Sequence, residues 1–186
     1  SLTSEQIKNG ITTFSGGNHA IATAYAAKIF HTSAKVVMPR SANPARIEAC
    51  RKFGAEVFLV ETRTEAPELA NSFVQKESRT LLPPFDHPKT IEGTASIGYE
   101  FMHQVPELDV VIVPIGGGGL AAGVACAVKQ MAPQCKVIGV QPMGADAMKR
   151  SLESGVPEFN EKVETIADSL CPPQVGNMTL SFCRAL

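Results

Sequence analysis

The chain has 186 residues, a formal net charge of −1, 44% hydrophobic residues and 19% charged residues. That balance is typical of a globular protein, and the length is enough for one sizeable domain or two small lobes with their own cores. The chain has no basic run of the kind that binds nucleic acid, and its longest apolar stretches, such as 110–115, are too short to cross a bilayer. We therefore expect neither a nucleic-acid partner nor a membrane partner.

Cysteines and histidines show no pattern that would hold a metal. The five cysteines are odd in number and contain no CxxC pair, and the four histidines have no ligand-like spacing. The cysteines are Cys50, Cys126, Cys135, Cys171 and Cys183, and the histidines are His19, His31, His87 and His103. We expect no metal site, and free thiols in a reducing, cytoplasmic setting.

Short apolar runs alternate with longer helical patterns along the chain. Strands are predicted at 11–14, 35–38, 56–60, 110–114 and 136–140, and helices at 18–30, 44–53, 65–77, 91–104, 120–131 and 145–154. The strand–helix alternation predicts an α/β fold with parallel sheets. The consecutive apolar residues Val111, Ile112 and Val113 predict a strand buried on both faces.

Four consecutive glycines, Gly116, Gly117, Gly118 and Gly119, follow a predicted strand and precede a predicted helix. We call these four residues the glycine loop. Glycine lets backbone N–H groups approach a ligand closely, and the free N–H groups of a helix start attract anions. The loop therefore predicts a phosphate site, although a flexible connection or tight helix–sheet packing would use the same residues.

A nicotinamide dinucleotide is the weaker interpretation of the same loop. Gly116, Gly118 and Ala121 fit the G-x-G-x-x-A fingerprint. That fingerprint expects an acidic residue after the next strand to hold the ribose, and here Gln141 stands there.

A second polar turn, T-F-S-G-G-N-H at 13–19, leads from a strand into a helix. The Ser15 hydroxyl, the Asn18 amide and the turn's N–H groups form another anion-receptive arrangement. An ordinary glycine turn with Asn18 as a helix N-cap is the alternative, and His19 alone is more typical of a packed helix residue.

The chain resembles the fold-type II (tryptophan synthase β-like) pyridoxal-phosphate enzymes, and most of all their threonine/serine dehydratase and serine racemase branch. The resemblance rests on S-G-G-N-H-A at 15–20, V-V-M-P at 36–39, K-F-G-A-E-V at 52–57, V-P-I-G-G-G-G-L at 113–120 and E-T-I-A-D at 164–168. It implies two lobes of parallel-sheet βα units, incomplete at both ends: a lead-in at 1–12, a small mobile lobe at 13–88, and part of a large cofactor-binding lobe at 89–186.

The resemblance also assigns roles. The glycine loop binds the phosphate of pyridoxal 5'-phosphate, and Asn18 contacts the cofactor's 3-hydroxyl. Ser15, Gly17, Asn18 and His19 surround the carboxylate of an amino-acid substrate. The implied reaction removes water and ammonia from L-threonine or L-serine and leaves a 2-oxo acid, in an enzyme that is dimeric or larger.

Three departures qualify that assignment. The family's Schiff-base lysine lies upstream of the Asn turn and the residue facing the ring nitrogen lies downstream, so no catalytic residue is expected in this chain, which alone should be inactive. Gly16 stands where racemases carry an acid/base serine, which favours elimination over racemisation. Gln141 and Ala147 stand at the racemases' cation-binding positions, so no magnesium or calcium is expected there.

Other functions remain open at this point. Racemisation or β-replacement would use the same fold, and a truncated, non-catalytic relative would act as a binding partner. The hydroxyls of Thr94 and Ser96 either line a pocket or cap and pack their helix, and packing is the favoured interpretation.

Overall fold

A computed structural model describes residues 2–185 of the chain. The chain divides into two compact units, Ser1–Pro84 and Phe85–Leu186, immediately after the Pro83-Pro84 pair. We describe each unit by itself. The predicted division into a mobile lobe at 13–88 and a cofactor lobe at 89–186 stays a prediction.

The first unit is a four-stranded parallel sheet with helices on its two faces. Its elements are α1 (Ser4–Asn9), β1 (Ile11–Phe14), α2 (Asn18–Ile29), β2 (Ala34–Pro39), α3 (Pro44–Lys52), β3 (Glu56–Val60), α4 (Glu65–Glu77) and β4 (Thr80–Leu81). The sheet order is β3-β2-β1-β4, and every pairing is parallel. This order places β1 in the interior, and its carboxyl end leads into the Ser15–Asn18 turn.

Strand β2 shows why this sheet has two covered faces. Val36 and Met38 pack with the alanines of α2, whereas Val37 packs with Ala70 and Phe73 of α4 on the opposite face. Successive strand residues point to opposite faces, so a continuous apolar run is stable only when both are covered. The prediction of an α/β fold with a parallel sheet is confirmed in this unit.

The second unit contains a two-stranded parallel sheet and four α-helices among the described residues. Its elements are α5 (Pro88–Gln104), β5 (Val110–Pro114), α6 (Gly119–Met131), β6 (Lys136–Val140), α7 (Ala147–Ser154) and α8 (Asn177–Ala185), with short 3-10 helices at Met143–Ala145 and Asp168–Leu170. Strands β5 and β6 pair in register from Val110 with Lys136 to Pro114 with Val140.

The expectation that β5 is buried on both faces is wrong for the described chain. Val111 and Val113 are 4% exposed and belong to a core with α6 and α8, whereas Ile112 is 67% exposed. An apolar run is buried on both faces only when a layer covers each of them, and the described residues cover one. None of the helices within residues 2–185 combines the length and apolar character needed for a bilayer span.

Helices α5 and α6 approach closely at Gly98. A Cβ atom on Gly98 would lie 2.9 Å from the Val124 carbonyl oxygen and 3.0 Å from the Ala127 Cβ. Gly93, on the same helix, has nothing within 4 Å of its equivalent position. The helix therefore contains one glycine that packing requires and one that it does not.

We predict opposite effects for alanine at these two positions. Gly98→Ala should lower the free energy of unfolding by about 1–3 kcal/mol, because α6 must move to admit the methyl group. Gly93→Ala should raise it by up to about 1 kcal/mol, because alanine has the higher helix propensity. Urea unfolding of both variants checks this, and equal effects would contradict the close packing.

Candidate functional site

The glycine loop forms the connection between β5 and α6. Gly118 is the N-cap of α6, and its φ of 94° lies in the left-handed region that side-chain-bearing residues rarely adopt. The first intrahelical bond runs from the Ala122 amide to the Gly118 carbonyl at 2.8 Å. The loop thus leads straight into a helix start, where the backbone amides have no intrahelical acceptor.

Surrounding residues leave no space for side chains on this loop. A Cβ atom on Gly117 would overlap the ring of Phe85, and one on Gly119 would lie 2.8 Å from the Phe85 Cα. At Gly118 the added atom would lie 2.6 Å from the Met148 Cε. Close packing therefore excludes side chains at Gly117, Gly118 and Gly119, and backbone conformation also favours glycine at Gly118.

Two threonine hydroxyls hold carbonyl groups of the loop. The Thr179 hydroxyl, on α8, donates to the Gly117 carbonyl at 2.7 Å. The Thr94 hydroxyl, on α5, donates to the Gly119 carbonyl at 2.8 Å. In a trans peptide the carbonyl and the next amide point in opposite directions, so the amides of Gly118 and Leu120 face away from these threonines.

The amides of the loop have no protein acceptor. Across residues 2–185, no hydrogen bond from the amides of the glycine loop, Leu120 or Ala121 to a carbonyl or side chain is present. A group of free N–H donors at a helix start, together with the helix dipole, is the arrangement that binds anions such as phosphate in other proteins. Internal capping of these amides, which would have argued against the site, is not what the structure shows in its described part.

The Asn turn connects β1 to α2 in the first unit. The Ser15 hydroxyl accepts from the Gly17 amide at 3.2 Å, and Gly17 is the N-cap of α2 without a side-chain cap bond. Asn18 is the first residue of the helix, and it is exposed. The alternative in which Asn18 caps the helix is therefore wrong, because the residue lies one position inside it.

Polar groups of this turn also remain available. Within the described residues, no hydrogen bond is made by the Asn18 side chain or donated by the amides of Gly16, Asn18 and His19. These donors lie at the carboxyl end of an interior parallel strand, where ligands of α/β proteins bind.

His19 is a neutral histidine with a defined tautomer. Its Nε2 lies 3.1 Å from the Leu82 carbonyl oxygen, which only accepts, so Nε2 carries the proton and Nδ1 is left as an acceptor. Burial lowers the pKa of His19 from its ordinary value, and the hydrogen bond to Leu82 opposes this effect only in part. His19 thus contributes no positive charge near neutral pH.

Gln141, Asp146 and Ser96 are each hydrogen-bonded to other groups of the protein. The Gln141 amide donates to the Ile115 carbonyl and accepts from the Lys149 amide, and Arg150 lowers the pKa of Asp146 through a hydrogen bond. Ser96 donates to the Gly93 carbonyl within α5, as packing predicts. No group of three or more histidine, cysteine or acidic residues able to hold a metal occurs in the described part of the chain.

A cavity of about 530 Å³ lies in the second unit beside β6 and α7. Its walls are mainly apolar, with Gln141, Asp146 and Lys149 as the polar members. Ile115 and Ala121, which flank the glycine loop, line this cavity, whereas the four glycines do not.

The structure adds residues that the sequence does not single out. Phe85 packs beneath the loop, Thr179 holds one of its carbonyls, and Asp86 accepts from the Thr179 amide at 3.0 Å. Thr179 and the loop are 62 residues apart, and no local motif marks either Phe85 or Thr179.

The pKa of His19 makes stability depend on pH. Because folding lowers this pKa, His19 contributes stability above the unfolded pKa of about 6.5, and that contribution is lost as pH falls through the folded pKa. We predict that the unfolding free energy falls less between pH 7.5 and pH 5 in His19→Gln than in the unchanged chain. Parallel curves of unfolding free energy against pH for His19→Gln and the unchanged chain would contradict the prediction.

Comparison with known proteins adds independent findings. Phenylserine dehydratase of Ralstonia pickettii is 48% identical over 183 residues, which are 98% of this chain and 56% of that protein. L-threonine ammonia-lyase of Thermotoga maritima is 40% identical over 98% of this chain and 46% of that protein. The chain thus spans about half the length of these relatives.

Solved structures give the same result for the fold. The processed form of threonine deaminase isoform 2 from Solanum lycopersicum matches with a TM-score of 0.91 and 39% identity, over 99% of this chain and 54% of that one. Maize serine racemase matches with a TM-score of 0.93 and 34% identity, over 100% and 56%. The fold-type II architecture expected from the sequence is confirmed.

The whole chain, residues 1–186, matches the family described as "Pyridoxal-phosphate dependent enzyme". Its relatives among threonine dehydratases and a serine racemase agree with that match. The chain therefore belongs to the family of pyridoxal-phosphate-dependent enzymes.

Proposed function

We propose that the complete polypeptide carrying this chain is a cytoplasmic, oligomeric lyase that removes water and ammonia from a β-hydroxy amino acid and releases a 2-oxo acid. L-threonine and L-serine are the proposed substrates. The observation that carries the proposal is the set of unpartnered amides on the glycine loop, in a chain that belongs to a pyridoxal-phosphate-dependent family.

The glycine loop fits the phosphate of pyridoxal 5'-phosphate. Its amides supply several N–H donors, the start of α6 supplies favourable dipole charge, and the absence of Cβ atoms leaves the backbone bare. When bound, the cofactor supplies a ring that accepts the electrons left on the substrate's α-carbon after proton removal. The contribution of the loop is to hold that ring by its phosphate at a constant position.

We propose that the Asn turn also contacts ligands, as the resemblance to the family implies. The amides near Gly17 and the Ser15 hydroxyl receive the substrate carboxylate, and the exposed Asn18 amide contacts the cofactor's 3-hydroxyl. Neutral His19 holds the turn against Leu82 through its Nε2 proton.

Gly16 favours elimination over racemisation. Racemisation needs an acid/base group on each face of the substrate, and a glycine has no side chain that transfers a proton. A Cβ atom at Gly16 would lie 3.3 Å from the Pro39 Cγ, so even a serine here would need some adjustment of its neighbour.

The names of relatives widen the substrate class to be tested. One is named a phenylserine dehydratase and another an L-threonine ammonia-lyase, and both names denote β-hydroxy amino acids. An assay of 2-oxo acid and ammonia release from L-threonine, L-serine and phenylserine therefore tests the proposal. Formation of the mirror-image amino acid without release of 2-oxo acid would identify a racemase. No turnover of any of the three amino acids would contradict the proposed dehydratase.

The Asn18 side chain offers a test that is separable from folding. Since it makes no hydrogen bond within the described residues, Asn18→Ala should change the unfolding free energy of the cofactor-free protein by less than about 0.5 kcal/mol. The same variant should weaken pyridoxal-phosphate binding roughly 3–10-fold through one lost hydrogen bond.

Exposed Asn71 on α4 provides the matched control. Asn71→Ala should alter neither cofactor affinity nor 2-oxo acid release. Equal cofactor affinity in Asn18→Ala and the unchanged protein would remove Asn18 from the proposed site.

A further inference from the structure

The Gly117 carbonyl depends on a single partner among the residues that the structure describes. That partner is the Thr179 hydroxyl, at 2.7 Å. The Gly119 carbonyl differs, because it belongs to the first residue of α6. It can accept a hydrogen bond from an amide of the same helix as well as the one from Thr94. The peptide between Gly117 and Gly118 is thus oriented from outside the loop.

Thr179 is itself fixed in place. It is 0% exposed, and its amide donates to the Asp86 carboxylate at 3.0 Å. Its hydroxyl also lies 3.1 Å from the carbonyl oxygen of Gly176, just before α8, but its contact with the Gly117 carbonyl oxygen is the shorter one. Asp86 adjoins Phe85, the residue that packs beneath Gly117 and Gly119.

The orientation of this peptide determines what the Gly118 amide faces. Because the peptide is planar and trans, a carbonyl held by Thr179 sends the Gly118 N–H in the opposite direction. Gly118 has a positive φ and no protein acceptor for its amide. A glycine in this region rotates readily, so without Thr179 the peptide would sample orientations that turn the N–H away.

We propose that Thr179 is a positioning residue of the phosphate site: its hydroxyl fixes the Gly117–Gly118 peptide so that the Gly118 amide donates to the bound phosphate. Thr179 itself touches neither cofactor nor substrate. The inference rests on the proposed function, since it concerns the same loop and the same phosphate.

The test compares a phosphorylated ligand with its unphosphorylated form in the complete polypeptide. Thr179→Val keeps the shape and removes the donor. It should raise the Kd for pyridoxal phosphate roughly tenfold, because one charge-assisted hydrogen bond is lost. The Kd for pyridoxal, which has no phosphate, should stay within about twofold, whereas a general loss of structure would weaken both ligands.

Thr32→Val is the matched control. Thr32 is partly buried and likewise donates from its hydroxyl to a backbone carbonyl, that of Ile7, at 2.5 Å. It lies just before β2, at the opposite end of the strands from the Asn turn, so this variant should lose stability without a change in the affinity for pyridoxal phosphate.

A second pair of variants keeps the test decisive if Thr179→Val does not fold. Serine and cysteine have similar sizes, but a thiol is a weak donor. Thr179→Ser should bind pyridoxal phosphate within about threefold of the unchanged protein, and Thr179→Cys should bind it roughly tenfold more weakly. Equal affinities for this pair, or for Thr179→Val and the unchanged protein, would overturn the inference and leave the proposed function intact. Failure of the unchanged protein to bind pyridoxal phosphate would instead overturn the proposed function.

Discussion

The unpaired backbone amides at the start of α6 are the constraint on which the site depends. A helix start always leaves amide donors without intrahelical acceptors, and most proteins satisfy them with a side-chain cap. Here the N-cap is Gly118, which has no side chain to offer. No acceptor among residues 2–185 meets these donors, so they are open to solvent or to an anion.

The rest of the second unit keeps those donors exposed to a ligand. Phe85 and Met148 occupy the space where side chains of the loop would lie, and Thr94 and Thr179 take up two of its carbonyls. Packing and hydrogen bonding thus hold one side of the loop against the protein. The N–H groups on the other side of the loop are left to bind an anion. This agrees with membership in the family of pyridoxal-phosphate-dependent enzymes.

The sequence predicts most elements because β-branched runs, breakers and caps are local signals. The strands Glu56–Val60, Val110–Pro114 and Lys136–Val140 and the helix Glu65–Glu77 have the predicted bounds. The structure also shows a local cap signal, because Asn43 caps α3 directly before Pro44. Helix α1 and strand β4 were not predicted, because a six-residue helix and a two-residue strand give too short a pattern. The exposure of Ile112 shows that an apolar run alone does not reveal which layers cover a strand.

The candidate site was predictable only where its residues are consecutive in sequence. Four adjacent glycines and the S-G-G-N-H turn are recognisable as local motifs. The hydrogen bond from Thr179 to the Gly117 carbonyl instead joins residues 62 apart and depends on the tertiary packing of α8. The precise cap of α2 was also beyond sequence reasoning, since Gly17 and Asn18 both suit an N-cap and only the backbone shows that Gly17 takes it.

A diffraction structure of the complete polypeptide with pyridoxal phosphate tests the central claim most directly. The account predicts phosphate oxygens within about 2.7–3.2 Å of the amide nitrogens of the glycine loop, with Phe85 still beneath it. A phosphate held by side chains at another place, with the loop amides turned toward protein carbonyls, would contradict it.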